Sequence, residues 1–441
     1  MTLARIDGRL IQGCRVAKTM SGWLALALVA ALVLSAAAQA QAPAKPNIVF
    51  ILADDLGWTD LSGVRTNFGF NSDYYETPNL DAMAASGVAF TNAYTGGPNC
   101  TPTRAALLGG QYAPRPANRL YTVSDLNRTG GQQVPLVGPE QGLPGGLSRL
   151  SSDAITIAET LKTAQYVTAH FGKYSLGTKA TGTGPLDQGF DYNFGGGPWG
   201  TPGRYHAVQG ARGIWKFSAN IGPELDPYAV PYTAATVPDG NPNSALIGTA
   251  KHVTDAMTEA ALDFMEANKN QPFFVNFSEF AVHDPTGRAE ARADLLAKYD
   301  SRPPSAVGHD SPSYAALVEG IDQSVGRIVQ YLETTDDPRN PGRKLKDNTL
   351  VVFTSDNGGK EPSVPGQPFT DNGPLKGQKG DMNEGGIRVP MIAWMPGRIP
   401  AGSVNHTPVT SVDFYPTFAN LAGAEPPENY VLDGEDLMPI L

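Results

Sequence analysis

Asn47-Ile48-Val49-Phe50-Ile51-Leu52-Ala53-Asp54-Asp55 is an almost continuously apolar, β-branched run of strand length that ends in two carboxylates. A strand with one wet face alternates apolar and polar residues, whereas one apolar at successive positions is covered on both faces, as in the middle of a parallel sheet. The pattern recurs at Thr349-Leu350-Val351-Val352-Phe353-Thr354, which runs into Ser355-Asp356-Asn357-Gly358-Gly359. Two buried strands therefore end in acidic loops.

Further strands are predicted at 88–92, 166–171, 272–277 and 389–394, with helices between them. Ser152 is read as the cap of a helix over 153–163, and 252–267 as a second helix. From Tyr314 through Leu317, Val318, Ile321, Val325, Ile328, Val329 and Leu332 the apolar residues recur at three and four, so one face of a long helix packs on the sheet. This alternation predicts an α/β fold: a doubly wound, mixed but mainly parallel sheet with helices on both faces. Residues 115–146 and 178–242 are rich in Gly, Pro, Asn and Thr, lack a sustained period, and read as long surface loops that shape a pocket beyond the strand ends.

The chain of 441 residues carries a formal charge of -10, from 43 acidic and 33 basic residues, and has no basic run long enough to track a phosphate backbone, which argues against a nucleic-acid partner. Arg5, Arg9, Arg15 and Lys18 precede the apolar run 23–34, and Ala38-Gln39-Ala40 follows it. This reads as a signal peptide over 1–40, short for a membrane span of about 20 residues; a membrane anchor and a buried helix are the other readings, and Met20 is a second candidate start. A linker over 41–45 and one catalytic domain over 46–441 complete the expected organisation, with a periplasmic or secreted destination and membrane contact only through export. Cys14 falls in the leader, so Cys100 is left alone, without a disulfide partner.

Asp54, Asp55, Asp356 and Asn357 offer three carboxylates and an amide oxygen, a set suited to a hard cation such as Ca²⁺ or Mg²⁺. Either pair alone could equally be a cap or turn. Cys100-Thr101-Pro102-Thr103-Arg104 opens a predicted helix. A thiol at a helix N-terminus with Arg104 one turn on is expected to have a lowered pKa, and the opposing reading is a small buried hydrophobe.

Cys100-Thr101-Pro102-Thr103-Arg104 resembles the C-x-P-S/T-R signature of type I sulfatases in the alkaline phosphatase superfamily. Residues 46–55, Thr77-Pro78-Asn79-Leu80-Asp81, 355–359 and Glu384-Gly385-Gly386-Ile387-Arg388-Val389-Pro390 resemble that family's blocks in their order. The resemblance implies that a separate formylglycine-generating enzyme oxidises Cys100. One hydroxyl of the formylglycine hydrate then attacks sulfur, and proton loss from the other expels sulfate. It also implies that Asp54, Asp55, Asp356, Asn357 and the modified Cys100 hold one cation, which polarises sulfate. Arg104 and Lys173 match residues that hold the hydrate; Lys173, His283 and Lys379 match those that grip sulfate and serve the leaving group. Lys376 reads as a neighbour only.

Two departures stand out. The family block G-K-W-H-L-G is here Gly172-Lys173-Tyr174-Ser175-Leu176-Gly177, so Ser175 replaces a histidine that serves as base in sulfate release. His170 and His206 are candidate substitutes, although strand alternation points His170 away from the face of Lys173 and Ser175. The chain also ends where the family continues into a small C-terminal subdomain, so that subdomain is expected to be missing or truncated. The resulting expectation is hydrolysis of sulfate monoesters, of a sulfated carbohydrate or an aryl sulfate. A phosphonate or phosphodiester hydrolase on the same scaffold and a catalytically impaired binder of sulfated glycans are the alternatives.

Overall fold

The computed structural model describes residues 44–112, 121–122, 149–303, 305, 308–364, 366–367 and 369–441. The leader, Met20 and most of the 115–146 loop lie outside the described residues. The principal strands, numbered along the chain, are β1 (Asn47–Ala53), β2 (Val88–Tyr94), β3 (Val167–Gly172), β4 (Tyr192–Phe194), β5 (Phe273–Ser278), β6 (Thr349–Ser355), β7 (Arg388–Trp394), β8 (Ser403–Asn405) and β9 (Val409–Thr410). They form one sheet in the order β8-β2-β7-β6-β1-β5-β3-β4, with β9 also on β2. Strand β7 runs antiparallel to β6 and β2, and the other pairings are parallel.

β1 shows why continuous apolarity was needed. Val49, Ile51 and Ala53 face a core shared with helices α1 (Pro78–Ser86), α4 (Val253–Asn268), α5 (Ala293–Asp300) and α6 (Pro312–Thr334). Ile48, Phe50 and Leu52 face a second core built with α2 (Cys100–Gly109), α3 (Ile157–Thr163) and α7 (Phe414–Ala422). The fold is thus doubly wound, with β1 buried between the two layers. Among the described residues, no helix is long and apolar enough to cross a membrane.

Two expectations shift. Helix α3 begins after Thr156, not Ser152, because Thr156 and Glu159 form a reciprocal capping box that satisfies two orphan donors. The 178–242 segment is more than surface loop: it supplies β4 and seats Tyr205, Phe217 and Leu225 in the core.

Candidate active site

The strand ends converge. Asp54 and Asp55 follow β1, Asp356 and Asn357 follow its parallel neighbour β6, Lys173 follows β3, and His283 lies beyond β5. All six are buried except His283, which is 18% exposed. Cys100 starts α2, with Sγ 3.5 Å from Asp54 Oδ1 and 4.0 Å from Asp55 Oδ1. Ligand atoms of Asp54, Asp55, Cys100 and His283 all lie within 4.8 Å of one another.

Three cations interlock with the carboxylates. Lys173 Nζ lies 2.6 Å from Asp54 Oδ2, Arg104 Nε 2.8 Å from Asp356 Oδ2, and Lys379 Nζ 2.7 Å from Asp55 Oδ1. Arg104 Nη1 also donates to the Lys173 carbonyl at 2.6 Å, so the two blocks fix each other. Asn357 Nδ2 donates to Asp55 Oδ1 at 2.7 Å, and the Asp55 amide donates to Asp356 Oδ1 at 3.2 Å. Asp55 adopts φ 65°, a left-handed conformation uncommon outside glycine that the surrounding contacts impose. Lys376 is exposed and stays outside this network.

The electrostatics are uneven. Burial, with Asp356 adding to it, pushes Asp54 up to about 8. Burial acts on Asp55 in the same sense, but Lys379 and His283 outweigh it and hold the group below its ordinary range. Asp356 falls to about 2 against its burial because Arg104 and Lys173 face it. The Cys100 thiol is pushed up to about 12 by burial and by Asp356, which overturns the lowered value expected from its helix position. Burial, with carboxylates delivered by other strands, outweighs a helix terminus. Burial and Lys173 bring His283 down to about 4, so its ring is neutral; Nδ1 donates to the Asp284 carbonyl at 3.0 Å, leaving Nε2 as an acceptor.

Ser175 lies beside the cluster in a left-handed conformation (φ 60°), its Oγ 3.4 Å from Thr101 Oγ1. Of the six histidines, only His283 contributes a ring nitrogen to the cluster. His170 is bound to Gly172 O and Asn276, and His206 packs on His252. His170 lies outside the cluster and lines one internal cavity with Lys173. The sequence reading missed the layer beneath the site, where Tyr314 Oη donates to the Asp55 carbonyl at 3.2 Å and to Asp60 Oδ2 at 2.8 Å.

A doubly wound sheet whose strand ends gather three carboxylates, three cations and a buried cysteine defines an α/β enzyme with a centre built for an anionic substrate. The family model described as Sulfatase matches residues 46–424. A sulfatase of Formosa agariphila is 39% identical, with 94% of this chain and 75% of that protein covered. An N-acetylgalactosamine-6-sulfatase of Canis lupus familiaris is 34% identical, with 96% and 70% covered. Among solved structures, Ps i-CgsB in complex with k-i-k-neocarrahexaose is 32% identical with a TM-score of 0.63, covering 90% of this chain and 76% of that one. The chain belongs to the sulfatase family, and it is a sulfuric ester hydrolase of the alkaline phosphatase superfamily.

Proposed function

We propose that this sulfatase acts on a sulfated carbohydrate outside the cytoplasm, with formylglycine made from Cys100 by a separate enzyme and with one bound Ca²⁺ or Mg²⁺. The observation that carries this reading is the position of Cys100, which opens α2 directly against Asp54 and Asp55. The sulfated-carbohydrate preference follows from relatives that are named for N-acetylgalactosamine-6-sulfate or were solved with neocarrahexaose. The extracytoplasmic site follows from the leader-like segment 1–40. Relatives above 30% identity are sulfatases, so the phosphonate or phosphodiester alternative is not favoured.

The residues present fit a cation. Asn357 Oδ1 is buried without a partner among the described residues, and Asp54 faces another carboxylate in a fully buried cluster. Asp54, Asp55, Asp356 and Asn357 would hold the ion, an all-oxygen set of the kind hard cations take. When bound, it supplies Lewis-acid polarisation of the sulfate oxygens. Formylglycine supplies, as its hydrate, a hydroxyl nucleophile and a second hydroxyl whose proton loss frees sulfate.

The chain's own residues do the rest. Arg104 pins Asp356 and the Lys173 carbonyl, which holds α2 and the end of β3 in register at the nucleophile. Lys173 and Lys379 bring positive charge to the anion. His283 Nε2, with Nδ1–H fixed on Asp284, can take a proton and return it to the leaving oxygen. With Ser175 where the family has histidine, proton removal for sulfate release falls to His283 or water. Peptide mass spectrometry across Cys100, followed by sulfate release from a panel of aryl and sugar sulfates, tests the proposal. A persistent free thiol in protein from its own host would overturn it and favour the binder.

A further inference from the structure

Asp54-Asp55-Leu56-Gly57 and Asp356-Asn357-Gly358-Gly359 follow one pattern: a pair of candidate cation ligands, an intervening residue, then a glycine. The same neighbour requires both glycines. A Cβ on Gly57 would lie 2.9 Å from Asn372 Oδ1; one on Gly359 would lie 2.9 Å from that atom and 2.4 Å from Thr370 Cγ2. Contacts that short are excluded for a side chain, so each loop gives up its Cβ to admit the segment 370–372. That segment is wedged between the two loops, with Thr370 0% and Asn372 1% exposed.

Each wedged side chain is tied to one loop. Asn372 Nδ2 donates to the Gly359 carbonyl at 2.9 Å, and Asn372 Oδ1 accepts from the Gly359 amide at 3.2 Å, the two-bond pairing that a neighbouring strand would make. Thr370 Oγ1 donates to Asp60 Oδ1 at 2.5 Å. Asp60 Oδ2 in turn accepts from the Gly57 amide and from Tyr314 Oη, both at 2.8 Å, and the same hydroxyl reaches the Asp55 carbonyl. Thr59 Oγ1 returns a bond to the Asp371 carbonyl at 3.1 Å. Ser355 Oγ joins the loops directly, accepting from the Leu56 amide and donating to the Asn357 carbonyl, both at 3.0 Å.

We propose that the segment 370–372 is a clasp that sets the spacing of the two ligand-bearing loops, and that Thr370 and Asn372 are positioning residues for the cation. Asp54, Asp55 and Asp356 repel one another, so loops free to drift apart would have to be regathered by the ion at the expense of affinity. The clasp holds them gathered beforehand: Asp55 is kept in its left-handed conformation, and Asn357 Oδ1 is left open to a ligand. This inference rests on the reading of the strand ends as a cation site.

Calorimetric titration of the metal-stripped full chain with Ca²⁺ and with Mg²⁺ tests the clasp without any need for turnover. Asn372→Ala should weaken the ion that binds about tenfold to hundredfold. Thr370→Val keeps the shape and removes the donor to Asp60; it should weaken binding about threefold to tenfold, and Thr370→Ser, which restores the hydroxyl, should bind like wild type. Thermal melts of the metal-stripped variants report whether each is folded, and the Thr370 pair decides alone if Asn372→Ala does not melt cooperatively. Unchanged affinity in the folded variants, or no recovery in Thr370→Ser, would overturn the clasp while leaving the cation site in place. A wild-type chain that binds neither ion would overturn the cation reading, and the clasp with it.

Discussion

Two buried charge clusters lie on this sheet, and they are built differently. In the first turn of α4, Asp255 receives Arg292 Nη1 at 3.3 and 3.2 Å on its two oxygens and a further bond from Tyr232 Oη. Arg292 continues to Asp294 at 2.8 Å and to Gln323 at 2.6 Å. Burial alone would raise Asp255, but Arg292 and Arg327 hold it below its ordinary range. At the strand ends, by contrast, Asp54 is left at about 8 and Asn357 Oδ1 is unpartnered. In the first cluster the guanidiniums keep the buried acid charged, whereas in the second a raised carboxyl and an unpartnered amide oxygen remain. A bound cation would satisfy both, since it favours the ionised carboxylate and takes the free amide oxygen as a ligand.

The sharpest break of this comparison is Cys100→Ala. Turnover should fall on the order of 10⁵-fold, as when a nucleophile is deleted, while Tm stays close to wild type. The thiol makes only long contacts with Asp54 and Asp55, so little of the fold depends on it. Sulfate release and a thermal melt measure the two effects, and a large fall in Tm would contradict the division. Arg292→Ala should do the reverse. It strands Asp255 in the interior and should cost about 3–5 kcal/mol, read as a lower urea midpoint, with kcat of the folded fraction retained.

Cation addition separates the clusters next. A millimolar divalent cation should raise Tm of the metal-stripped protein, with stabilisation of about 2.7 kcal/mol at a hundredfold excess over Kd. Asp55→Asn should abolish the shift and Arg292→Ala should leave it intact. An equal shift without Asp55 would remove the strand-end site from consideration.

Much of this was legible in the chain because it is local. Continuous apolarity marked β1 and β6, and the carboxylates stand directly after them. The Cys100 helix carried its own proline and opened where predicted. What escaped depends on pairing. The thiol's raised pKa comes from burial first and then from Asp356, Asp54 and Asp55, none of them near Cys100 in sequence. Asn276 is one polar residue in Phe273–Ser278, and its partner His170 becomes visible only once β3 and β5 are in register. The Thr156–Glu159 box was readable and was passed over for Ser152, a reminder that a cap is identified by both of its ends.

The smallest effect concerns Glu279, which links the two regions. Its backbone N–H donates to Leu52 O at 2.9 Å beside the site, and its carboxyl turns the other way, accepting from Thr254 Oγ1 at 3.2 Å next to Asp255. Burial, with Asp255 adding to it, raises its pKa from 4.5 to about 8. Between those values the folded chain holds a proton that the unfolded chain has lost. This contribution is therefore complete below about 4.5 and declines as pH rises toward 8, opposite in sign to that of Asp255, which is lost as pH falls. Glu279→Gln keeps the shape and stays neutral, so it should flatten the decline. Urea midpoints of both proteins at pH 5 and pH 8 measure this, and parallel pH profiles would show that the acid is paired and charged in the fold. A neutral Glu279 would mean that the chain spends its buried positive charge on the two aspartate clusters and leaves none for the residue between them.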